Sequence, residues 1–279
     1  MKTSRVFMIV VAFLAFAGCS ETIVEIDISP PFSGTIFIDP DIITDTDPSV
    51  YSGMTYAGRA SRTMFDRRNG GGWITIDPYL FDTHYDDGLS IEIQVNPEFS
   101  TFEEAQKQAV FYADAVGRLP RSLRTDVETM WIHEGVFPFG GGNNNILIHV
   151  GQGEAYIRDG ILEETLVHEA AHTSLDPSYA SSAEWIQAQN TDPTFISTYA
   201  QDYPMREDIA ESFVPFLAVE YRSDRITESL KNQILKTIPN RMAFFRSLGL
   251  DMYQINKGAM IDGSQGPSIF NTGSPDRCR

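Results

Sequence analysis

Apolar residues recur along this chain at two different periods, and the change from one to the other divides it. Over the first half, short β-branched or alternating runs at 35–38, 73–76, 90–95, 130–133 and 146–150 predict strands. Loops rich in Gly and Asn separate them, at Gly70, Gly71 and Gly72 and again over 140–145. One helix interrupts the strands. Ser100 stands three residues before Glu103 as a capping box, Ala105, Ala109, Tyr112, Ala113 and Val116 follow at helical spacing, and Pro120 stops the run. A second helix is predicted over about 160–175, with Asp159 as N-cap and Pro177 beyond its end. Beyond residue 180 the pattern is helical throughout, over 183–190, 193–202, 206–221, 228–237 and 239–248, with Pro215 placed to kink the third. The order predicts an α+β fold: a small mixed sheet lobe with a backing helix, a central helix, then an all-helical lobe.

The two ends read differently. Lys2 and Arg5 precede an unbroken apolar run from Val6 to Ala17, and Phe16, Ala17, Gly18 and Cys19 resemble a lipoprotein cleavage site. Twelve apolar residues are fewer than the roughly 20 that span a bilayer. The expected organisation is a signal peptide at 1–18, lipidation of Cys19, a tether over 19–33 containing Pro30 and Pro31, and a domain at 34–257. Within the domain the sheet lobe runs to about 158 and the helical lobe from about 180 to 250. A Gly-, Ser- and Pro-rich tail covers 258–279. That address is a bacterial cell envelope, with the protein anchored to a membrane and facing the periplasm or the exterior.

Charge and cysteine usage narrow the picture. The formal net charge is −17, and losing Lys2 and Arg5 with a signal peptide makes it two units more negative. Nucleic acid is therefore an unsuitable partner. Of the two cysteines, Cys19 lies at the predicted lipidation site and Cys278 next to the end, so no internal disulfide framework is expected. Asp39, Asp41, Asp45 and Asp47 lack the glycine and distal glutamate of a known calcium loop and read as a solvated acidic loop. Trp73, Trp131, Phe213 and Phe216 read as core, and His84, His133 and His149 as surface or packed histidines.

Residues 168–172 read His-Glu-Ala-Ala-His in a chain with only 5 histidines. On a helix, positions four apart share a face, so His168 and His172 can offer imidazole nitrogens to one Zn²⁺, with Glu169 beside them as general base. A catalytic zinc takes three protein ligands and keeps one position open, so a third ligand is needed. Asp176 is one candidate, as ligand or as an acid bracing an imidazole. Glu207 and Glu211, four apart on a later helix, are another pair: one can ligate while the other holds an imidazole N–H. Asp208 between them is expected to turn aside, to solvent or to a helix cap.

The metzincin extension of this motif requires a glycine and a further ligand where this chain has Leu175 and Ser178. The pair His168-Glu169-Ala-Ala-His172 and Glu207-Asp208-Ile-Ala-Glu211, with Ser197-Thr-Tyr199-Ala upstream, instead resembles the gluzincin zinc metallopeptidases, most closely the anthrax lethal factor type, over about 100–220. The resemblance implies a zincin-like fold with one zinc on His168, His172 and Glu207. It implies Glu169 as catalytic base, Glu211 as the acid behind a ligand, and Tyr199 as oxyanion donor, with Tyr203 as alternative because the spacing differs by one residue.

The expected activity is hydrolysis of peptide bonds in peptide or protein substrates by Glu-assisted attack of a zinc-bound water. Strand 146–150, leading toward the central helix, is expected to serve as the edge along which substrate lies. Two alternatives keep the metal: an amidase or esterase on a non-peptide envelope polymer, and a non-catalytic surface binding protein stabilised by zinc. Glu169 argues against the last, since a structural zinc site closes with four ligands and needs no base.

Overall fold

The computed structural model describes residues 29–39 and 41–255. The signal peptide, Cys19, Cys278 and the tail at 258–279 lie outside the described residues, as does most of the tether. Strands β1 (Tyr51–Arg59), β2 (Arg62–Asp66), β3 (Gly72–Ile76), β4 (Tyr79–Tyr85) and β5 (Ser90–Val95) lead into helices α1 (Phe102–Val116) and α2 (Arg121–Arg124). Then come β6 (Thr129–His133), β7 (Gly140–Gly142), β8 (Asn145–His149), α3 (Val150–Arg158) and α4 (Leu162–Ser174). The remainder is helical: α5 (Asp176–Tyr179), α6 (Ala183–Thr191), α7 (Thr198–Asp202), α8 (Asp208–Tyr221), α9 (Glu228–Thr237) and α10 (Pro239–Ser247). The fold is mixed α+β, and no described helix is long and apolar enough to cross a membrane.

Six strands form one sheet in the order β1-β4-β5-β6-β8-β7. β5, β6 and β8 run parallel, whereas β1, β4 and β7 join antiparallel. Parallel strands need a crossover, and α1 supplies it between β5 and β6, burying Ala105, Ala109, Tyr112, Ala113 and Val116. Its cap is Thr101, whose side chain accepts from the Glu104 N–H, one residue later than the expected Ser100 box. Leu166, Val167, Ala170 and Ala171 of α4 enter the same core. α8 packs against α4 and is buried from Asp208 to Val219, its apolar residues filling the core and its buried acids meeting partners described below.

On the opposite face of the sheet, β2 and β3 form a separate hairpin over Trp131 and Leu147. Trp73 belongs to this hairpin but is 59% exposed, so it is a surface residue meeting Phe65 and Trp131 edge-on, not a core residue. Trp131, Phe213 and Phe216 are buried as expected.

The structure departs from the sequence reading at several other places. Four strands lie where the sequence pattern predicts none: β1 and β2 are largely half-buried or exposed, the buried face of β4 includes the polar Thr83, and β7 falls within the expected glycine-rich loop at 140–145. Residues 35–38 join no ladder: their N–H groups find buried carboxylates instead, Ile36 donating to Glu211 (3.0 Å) and Ile38 to Glu164 (2.8 Å). Ile42 donates to the other Glu164 oxygen (3.2 Å). The described end of the tether is also packed, since Phe32 and Ser197 form a parallel bridge.

Helix α3 intervenes where strand 146–150 was expected to run on toward α4. Asp159 therefore ends α3 instead of capping α4. Gly160, at φ +72°, makes the turn between them, with the Ile161 N–H closing back on the Tyr156 carbonyl. Nor is β8 an edge. β7 covers it, and β7 is the last strand of the sheet.

Candidate metal centre

Helix α4 passes beneath β7 with its third turn directed into a cavity of about 620 Å³. His168, Glu169 and His172 line this cavity, since four residues bring a helix round to the same face. Glu207 reaches it from the residue capping α8, where its N–H is held by the Tyr203 carbonyl (2.8 Å). His168 Nε2 and His172 Nε2 lie 3.1 Å apart, and Glu207 Oε2 stands 3.3 and 3.1 Å from them. Three donors at zinc's usual bond lengths of roughly 2.0–2.1 Å around a tetrahedral ion lie about 3.3 Å apart, so these three fit one metal ion. Among the described residues this is the group of three able to hold a metal.

Behind each imidazole stands an acid. His172 Nδ1 donates to Asp176 Oδ2 at 2.6 Å, four residues further along where the helix yields to α5. Glu211 Oε1 faces His168 Nδ1 at 3.5 Å, and neither atom has a hydrogen-bond partner among the described residues. A carboxylate at Nδ1 leaves the Nε2 lone pair facing the cavity, which is the tautomer a metal requires. Glu211 is fully buried, with Oε2 accepting from Ser197 Oγ (2.5 Å) and the Ile36 N–H (3.0 Å). Burial raises its carboxyl above the ordinary range despite these donors.

The electrostatics of the cluster follow the same contacts. Burial alone would lower His172, but Asp176 and Glu207 outweigh it and raise the imidazole to about 10. Glu207 would be raised by burial, yet the two histidines hold it far below the usual carboxylate range. Asp176, Glu207 and Glu211 thus concentrate negative charge around the two imidazoles. Arg206 reduces that charge slightly, its Nε donating to Glu207 Oε1 at 2.7 Å from the exposed side.

Of the two tyrosines expected as alternatives, Tyr199 lines the cavity. Burial and the adjacent Glu207 raise its hydroxyl above its ordinary value. Tyr203 is exposed outside it, its ring against the Arg206 guanidinium. Asp208 does not meet solvent: it is fully buried and paired with Arg241 at 2.8 Å, while Arg241 also holds Asp192 at 2.9 Å. This ion cluster anchors the start of α8 to α10.

Two cavity residues escaped the sequence reading. Tyr156 arrives on α3, whose glycines obscure its helical pattern, and its hydroxyl is raised by burial and by Glu169. Arg67 arrives from the β2–β3 turn, far away in sequence and without any local signal. His133 and His149 are buried and stacked on each other and do not line the cavity, and His84 is exposed on β4. The acidic loop is only partly solvated, since Asp47 pairs with Arg225.

No protein-family model matches this chain, no curated protein matches it in sequence, and no solved structure matches its fold.

Proposed function

We propose that this protein is a zinc-dependent metallopeptidase of zincin-like architecture, exported and held at a bacterial envelope membrane through lipidated Cys19. One observation carries the reading. Three donors with metal-ligand spacing converge in a cavity that also contains Glu169, a carboxylate with neither an ion pair nor a side-chain hydrogen bond among the described residues. A zinc ion there supplies a Lewis acid that polarises a carbonyl and acidifies water.

The chain's own residues supply the rest. Glu169, unengaged and beside the ligands, accepts a proton from the attacking water and returns it to the leaving amine. Tyr199 keeps its proton at neutral pH and donates to the oxyanion that develops on the substrate carbonyl. Because β7 pairs only with β8, its other edge has no strand partner among the described residues, and Gly141 and Gly142 on it line the cavity. An extended peptide can add there as a further strand, which favours a peptide over a polymer lacking a regular amide backbone.

The test is digestion of a mixed peptide library by zinc-loaded protein starting at residue 20, beside Glu169→Gln. Cleavage that a chelator abolishes and the variant lacks is expected. A zinc-loaded wild type as silent as the variant would overturn the peptidase reading. For the anchor, Cys19→Ser is expected to move the protein from the membrane to the soluble fraction.

A further inference from the structure

Arg67 is the one arginine among the described residues with no hydrogen bond and no ion pair. Arg59 and Arg222 bond to backbone carbonyls, and the others meet carboxylates. In a protein of net charge −17 a cation left unpaired is conspicuous, and this one lines the cavity that holds Glu169 and the three metal-binding side chains.

The turn that carries it is held in place. The next residue, Arg68, is fixed by Asp66 (2.8 Å) and Glu98 (2.6 Å), so the hairpin end is secured while Arg67 remains free. Its guanidinium lies over Gly140 of β7: a Cβ on that glycine would stand 2.6 Å from Nη2, 3.5 Å from Cζ and 3.6 Å from Nε. Only the absence of a side chain at 140 opens this path. Arg206, the other cavity arginine, is already engaged by Glu207.

We propose that Arg67 binds a carboxylate of the substrate, within two residues of the bond that is cut; this rests on the peptidase reading above. The planar fork of a guanidinium matches a carboxylate through two parallel hydrogen bonds. Register sets the position. Gly141 abuts the α4 turn carrying Glu169 and His172, Gly140 is its neighbour, and a strand advances only about 3.3 Å per residue. Without Arg67 the acidic walls made by Glu169, Glu207 and Asp176 would repel such a substrate. The carboxylate belongs either to an Asp or Glu side chain or to the substrate's C-terminus.

The test uses zinc-loaded Glu169→Gln protein as an inert binder on an immobilised array of decapeptides. Each Glu-containing peptide is paired with its Gln counterpart, and each free C-terminus with its amide. Acidic members are expected to bind at least about tenfold tighter than their neutral partners, as a bidentate charged contact should give. A preference confined to side chains assigns that source, and one confined to free C-termini assigns the terminal carboxylate and action near chain ends. Adding Arg67→Ala should collapse the ratio to near one. Gly140→Ala should do the same by displacing the guanidinium, and it meets only the flexible end of that side chain, so the fold survives. Equal binding of acidic and neutral members, no binding at all, or a preference that survives Arg67→Ala would each overturn the proposal. An Arg67-dependent preference in a protein whose wild type cleaves none of the bound peptides would overturn the peptidase reading alone.

Discussion

Gly141 rests directly on the backbone of Glu169. A Cβ at Gly141 would collide with the Glu169 carbonyl oxygen, lie 2.7 Å from its carbonyl carbon and stand 2.9 Å from His172 Cβ. The edge strand and the α4 turn carrying Glu169 and His172 can be in contact only because this position has no side chain. Gly141→Ala is therefore expected to separate β7 from α4, with a loss of about 1–3 kcal/mol as for other overpacked sites, and to weaken zinc binding. Gly140→Ala, which meets only the Arg67 side chain, is the control. Thermal melts of the two variants with and without zinc decide it; a Gly141→Ala protein as stable as wild type would contradict this close packing.

Zinc should bind one per chain and raise the melting temperature, since a ligand that binds only the folded state adds about 2.7 kcal/mol at a hundred times its Kd. His168→Ala, His172→Ala and Glu207→Ala should each abolish that stabilisation. A full shift retained in any of the three would remove that residue from the ligand set.

Asp176 orients His172 through the 2.6 Å contact at Nδ1. Removal of such a partner typically lowers metal affinity by roughly 10- to 100-fold. Competition between Asp176→Ala and a chromophoric chelator for zinc measures this directly. An unchanged affinity would mean that the helix alone aims the ring.

Arg241 is fully buried between Asp192 and Asp208. Arg241→Met leaves two buried carboxylates without their cation, and breaking such a cluster from one side costs about 3–5 kcal/mol. Because Asp208 follows Glu207, zinc affinity should fall together with stability. Denaturant unfolding and zinc titration on the same samples test both; a stable variant with normal affinity would show that α8 is positioned by packing alone.

His133 has no exposed surface, and burial holds its imidazole down to about 4, well below the ordinary 6.5, against a smaller opposing effect from Asp66. The unfolded chain takes up a proton as pH falls through 6.5, whereas the folded protein resists until about 4. Stability is therefore lost across that window, by about 3 kcal/mol at an order-of-magnitude reading. In the presence of chelator, His133→Gln should show a smaller stability difference between pH 7 and pH 4.5 than wild type. Equal differences would assign the acid sensitivity elsewhere, for example to His149, which burial also lowers.

What depends on local geometry can be read along the chain. Two histidines four apart on a helix share a face whatever surrounds them, so His168, Glu169 and His172 were legible as a unit, and Glu207 with Glu211 as another. The helical second half was legible from its period, although α7 and α8 begin later than the pattern suggested. Tertiary structure alone decided which distant groups meet. Nothing local says that Glu207 faces His172 across 35 residues, or that Asp208 turns inward to Arg241 across 33. Residues 35–38 have strand-like composition, yet their N–H groups meet carboxylates more than a hundred residues away. The same holds for Arg67, whose chemistry in the cavity depends on a glycine 73 positions later in the chain. Side-chain spacing is set by bonds within one turn of backbone, whereas these encounters are set by how apolar faces pack, and that is a property of the whole chain.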